Sequence, residues 1–131
     1  MSKPIIYRNI GLGFLSWLIP FAISILCYNP DGQLVIEYPT FKSIMIVSGT
    51  ISGSYLLYLF FKAVNGNFIL NGVIVGLSWF AINILLDSII LIPMMKVSFI
   101  TYFMSIGLGY IGITAISIAM GYLLDRKTKS N

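Results

Sequence analysis

The sequence predicts an all-α integral membrane protein: four transmembrane helices in an antiparallel bundle, with both termini in the cytoplasm. Three observations lead there. The chain has 131 residues, of which 58% are hydrophobic and 9% charged, at a mean hydropathy of +0.95. Soluble domains run to about 45–50% apolar and roughly 25% charged, so this much apolar side chain calls for a lipid solvent. The few charges also divide the chain into four long apolar runs, and the basic residues collect on one side of them.

The four expected spans are residues 10–28, 43–61, 68–93 and 98–124. A bilayer core of about 30 Å takes roughly 20 residues of helix, and each run is long enough. Helices are the choice because backbone groups in lipid must be satisfied within the segment. The first span, IGLGFLSWLIPFAISILCY, follows Lys3 and Arg8 as a secretory signal would. Its length, with no convincing small-x-small cleavage site before the outer loop, predicts a retained helix instead. Pro20 is expected to kink it.

Residues 28–42 form the outer loop, opening on a Pro-Asp-Gly turn signal and continuing as a short apolar segment. Tyr28, Tyr38 and Phe41 are expected to anchor it at the membrane surface. The second span ends at Lys62, and Asn65-Gly66-Asn67 reads as a tight turn. Pro93 and Lys96 mark the outer end of the third span. Helices joined this tightly are expected to pack side by side.

Orientation follows from the basic residues. With the N-terminus inside, Lys3, Arg8, Lys62, Arg126, Lys127 and Lys129 lie inside, while Lys42 and Lys96 lie outside with Asp31 and Glu37. That bias predicts a multi-pass protein of the cell membrane with cytoplasmic termini.

Two matches share an offset of 62 residues: Leu15-Ser16-Trp17 with Leu77-Ser78-Trp79, and Phe41-x-Ser43-Ile44 with Phe103-x-Ser105-Ile106. They fit two duplicated helical hairpins related by an axis along the membrane normal. Chance matching within a small apolar alphabet accounts for them equally simply.

Composition narrows the function. The chain has no histidine and one cysteine, Cys27, so His-ligated haem, common catalytic zinc sites and CxxC redox chemistry are not expected. No metal site and no cofactor are predicted. The net charge of +4 is scattered rather than gathered into a nucleic-acid surface, and in a membrane protein it reports topology and anionic headgroups. Nucleophile–base pairs and converging carboxylates are missing, so the chain is not expected to be an enzyme.

Asp87 is the exception among the charges, because it lies inside the third span. Charged groups at that depth usually face the bundle interior or a wet cavity. Gly72, Gly76, Trp79, Asn83 and Asp87 recur at helical spacing and share a face, with Ser88 adjacent in sequence. Asp87, Asn83, Ser88 and Trp79 are therefore the candidates for binding a proton, a cation or another small solute. Asn83 and Ser88 are the expected neighbours of the carboxylate. The alternative role for Asp87 is an interhelical hydrogen bond.

Gly49, Gly53, Gly72, Gly76, Gly109 and Gly112 are expected at helix contacts, since small residues let helices approach closely in lipid. Exposed glycine faces would also serve a homodimer. Two functions follow: a small transporter or channel built on Asp87, or a non-transporting scaffold or accessory subunit bound to a larger membrane partner.

Overall fold

The computed structural model describes residues 3–130, nearly all of them helical. The order is α1 (Lys3–Ile25), α2 (Tyr38–Phe61), α3 (Phe68–Leu86), a π-helical turn (Asp87–Leu91), α4 (Ile92–Met95), α5 (Phe99–Ser105), a 3₁₀ turn (Gly107–Gly109) and α6 (Tyr110–Ser130). Four segments are long and apolar enough to cross a membrane: Lys3–Ile25, Tyr38–Phe61, Phe68–Met94 and Gly107–Lys129.

Two of the spans differ in form from the expectation. The third changes to π geometry at Asp87, where the Ile92 amide bonds back to the Asp87 carbonyl. Pro93 explains the disturbance, because its ring has no N–H and crowds the carbonyl four residues earlier. The fourth apolar run is broken, with α5 ending before the 3₁₀ turn at Gly-Leu-Gly. Glycine is the weakest helix former after proline. By contrast, α1 runs unbroken through Pro20.

Helix directions can be read from contacts. Arg8 donates to the Leu59 carbonyl at 2.5 Å, so α1 and α2 are antiparallel. Thr114 Oγ1 donates to the Gly76 carbonyl at 2.9 Å and Ser117 Oγ to that of Gly72 at 2.7 Å, which makes α3 and α6 antiparallel. Trp17–Asp87 and Trp79–Asn9 bonds set α1 and α3 parallel. The chain therefore starts and ends at the same end of the bundle, here the terminal end.

The main helix contacts are α3 with α6, α1 with α2, α1 with α3, and α2 with α6. Around the bundle the order is α1, α2, α6, α3. The tight turn at 65–67 thus joins helices at opposite corners, and the expectation that all tightly joined helices pack side by side fails for α2 and α3. A two-fold along the bundle axis would set α1 opposite α3, so this order also departs from the hairpin symmetry expected of the duplication.

Packing at the glycines explains the order. A Cβ on Gly72 would meet the Ser117 carbonyl oxygen at 2.7 Å, and one on Gly76 would meet Thr114 at 3.0 Å. Only glycine permits this approach of α3 to α6. Gly53 meets Ile113, Gly109 meets Ile46, and Gly49 faces Pro20 more loosely at 3.9 Å. Gly112 has nothing within 4 Å, which corrects its expected packing role. Most of the glycines assigned to a homodimer are used within the chain.

The core has two layers. Leu57, Phe60, Val75 and Trp79 belong to a cluster in the terminal half. Phe41, Met45, Leu91, Tyr102 and Ile106 form another near the opposite end. Phe41 is fully buried there, with Tyr28 edge-on to its ring at 5.8 Å, so it is a core residue and not the expected surface anchor.

Candidate functional site: a buried carboxylate between three helices

Asp87 sits where α3 gives way to the π turn, and it is 1% exposed. Carrying a carboxylate into this interior costs several kcal/mol unless donors replace water. Three do. Trp17 of α1 donates its indole N–H to Oδ1 at 2.7 Å. Tyr110, at the start of α6, donates its hydroxyl to Oδ2 at 2.5 Å. Tyr102 of α5 donates to the same oxygen.

Each such bond to a charged group contributes about 1.5–3 kcal/mol. Three together are of the same order as the burial cost, so they offset much of it. The two tyrosines are eight positions apart and would lie two turns apart on one unbroken helix, about 12 Å along its axis. The turn at 107–109 separates the helices that carry them, and both hydroxyls reach one oxygen. In this way the glycine break shapes the site.

One layer nearer the terminal end, α1 and α3 make a second polar junction. Trp79 donates its indole N–H to Asn9 Oδ1 at 2.7 Å. Gly13 makes room for that ring, since a Cβ there would lie 2.9 Å from it. Asn83 Nδ2 donates to Ser16 Oγ at 3.0 Å and to the Trp79 carbonyl at 2.8 Å. Asn83 Oδ1 is buried with no hydrogen-bond partner in the structure.

The two tryptophans therefore act reciprocally: α1 supplies one to a polar group on α3, and α3 supplies one to a polar group on α1. Trp17 is level with Asp87 and Asn9 with Trp79. The offset is about 70 residues rather than the 62 of the sequence match, so the matched tryptophans sit roughly 12 Å apart in depth.

The loop closes the other side of the carboxylate layer. Asn29 Oδ1 accepts the amides of Asp31 at 3.0 Å and Gln33 at 2.8 Å. Gly32 takes the left-handed backbone that the turn needs, with φ of 79°. Tyr28 and Leu34 pair as an isolated bridge. Cys27, Tyr28, Leu34 and Ile36 pack on the cluster that contains Tyr102 and Leu91. Tyr38 adds a hydroxyl bond to Ser105 Oγ at 2.7 Å.

Of the predicted site residues, Asp87, Asn83 and Trp79 all face α1, but they divide between two junctions. Asn83 donates elsewhere, and Ser88 returns its hydroxyl to the Ile84 carbonyl of its own helix at 2.7 Å. The expected neighbours of Asp87 are thus replaced by Trp17, Tyr102 and Tyr110. One of these, Tyr110, carried a usable signal, because a tyrosine well inside an apolar run is away from the interface where that residue collects. No protein-family model, curated protein or solved structure matches the chain.

Proposed function

We propose that the chain is a multi-pass protein of the cell membrane, with cytoplasmic termini, acting as a non-transporting scaffold or accessory subunit. The observation that carries this is the state of Asp87, sealed at 1% exposure with three donors on its oxygens. A transport site must exchange its ligand with water, and exchange here would require α1, α5 and α6 to release the carboxylate together. As an interhelical tie, Asp87 needs no such motion. The missing nucleophile–base pairs favour a non-enzymatic role. The four apolar spans support the membrane placement, and the positive-inside bias supports the orientation.

The test is a flux assay in proteoliposomes under proton, sodium and potassium gradients, with wild type beside Asp87→Asn. Both proteins are expected to fold and to leave the gradients at the rate of empty vesicles. Wild-type flux that Asp87→Asn abolishes while folding is retained would establish the transporter reading instead. Resistance to alkaline extraction tests membrane integration separately, and tags on the two termini test the orientation.

A further inference from the structure

The terminal end of the bundle carries two neighbouring grooves outside the polar junctions. One, of about 240 Å³, runs between α2 and α6 and is lined by Tyr58, Phe61, Met120, Leu123 and Leu124, with Lys62 among its lining residues. The other, of about 690 Å³, follows the outer face of α6 over Ala115 and Ala119, between Ile118 and Tyr122. It also reaches Leu123, and its lining includes Arg126. The grooves therefore meet at one side chain, with an apolar floor in each and a cation towards the terminal end of each.

Phe61 lies at the base of the first groove as a core residue, with Met120 and Leu124 packed on the same core, while the side chains at the rim face outward. Leu123 is 66% exposed and Tyr122 61%. Lys62 Nζ lies 5.6 Å above the centre of the Tyr58 ring, and both residues line the first groove. Lys62 closes α2, and Arg126 follows the last apolar turn of α6. Two open apolar grooves that share Leu123, each with one cation in its lining, match a ligand with two hydrocarbon chains and one anionic head.

We infer that an anionic phospholipid of the leaflet facing the termini occupies this pair of grooves, its chains either side of Leu123 and its phosphate between Lys62 and Arg126. Charge complementarity selects it, since basic sites between helices on this side of a membrane attract anionic headgroups. The inference rests on the membrane placement proposed above, though not on the scaffold role.

The test compares binding of phosphatidylglycerol and phosphatidylcholine to the detergent-purified full chain by native mass spectrometry. A basic side chain near the surface favours an anionic lipid about fivefold, so wild type is expected to prefer phosphatidylglycerol roughly 30-fold. The double variant Lys62→Gln, Arg126→Gln should approach parity. The control Lys3→Gln, Lys129→Gln removes the same charge at the same end and should keep the preference. Equal loss in both variants, or no preference in wild type, overturns the groove. Circular dichroism confirms that each variant is folded. Release by alkaline extraction would sink the membrane placement itself, whereas an integrated chain without selectivity would sink only the lipid site.

Discussion

Trp17 donates its indole N–H to Asp87 at 2.7 Å, joining the first long helix to the third across seventy positions of sequence. Indole is a donor only, and it cannot accept a bond in return. The Asp87 oxygen facing it must therefore be an acceptor, while the oxygen shared by the two tyrosines meets hydroxyls able to act either way. That asymmetry determines how each substitution should behave.

Trp17→Phe keeps a ring beside Phe21, on which Trp17 stacks at 4.6 Å, but leaves Asp87 Oδ1 without its donor. The expected loss is about 1–3 kcal/mol, the usual cost of an unsatisfied buried polar group. Reversible unfolding in mixed micelles measures it. A loss below a few tenths of a kcal/mol would mean that the bond does not tie the helices.

Tyr102→Phe and Tyr110→Phe should each be milder, because the other hydroxyl still serves Oδ2. The double variant leaves that oxygen bare, so its cost should exceed the sum of the two singles by about 1 kcal/mol. A double-mutant cycle on unfolding free energies reads this directly. Strict additivity would show that the tyrosines do not share the carboxylate.

Asp87→Asn can direct its amide oxygen to Trp17 and its amide hydrogens to hydroxyls that turn to accept. It should remain folded at a cost of about 1–2 kcal/mol. Asp87→Leu removes every acceptor and should cost more. Thermal unfolding of both variants checks the order, and a leucine variant as stable as wild type would contradict it.

Two glycines of equal standing in the sequence should now separate. Gly72→Ala places a methyl group against the Ser117 carbonyl and should cost about 1–3 kcal/mol through overpacking. Gly112→Ala meets open space and should be neutral or stabilising by up to about 1 kcal/mol, from helix propensity alone. Comparing the two unfolding midpoints decides it.

The sequence by itself determined the number and approximate place of the four long apolar helices. Crossing lipid requires about 20 apolar residues in one stretch whatever the neighbours are, and that requirement is local. It also singled out Asp87, since a carboxylate inside such a run stands out without any knowledge of its partners. Tertiary structure alone decided what surrounds Asp87. Its donors come from positions 17, 102 and 110, and their convergence depends on the parallel register of α1 with α3 and on the break at Gly107–Gly109. Periodicity places residues on a face of their own helix; it does not say which other helix that face meets, or at what depth. Gly72 and Gly76 share a predicted face with Trp79, Asn83 and Asp87, yet the glycines meet α6, Trp79 and Asn83 meet α1, and Asp87 meets both. Close approach of backbones made that division, and it exists only once the four helices have packed.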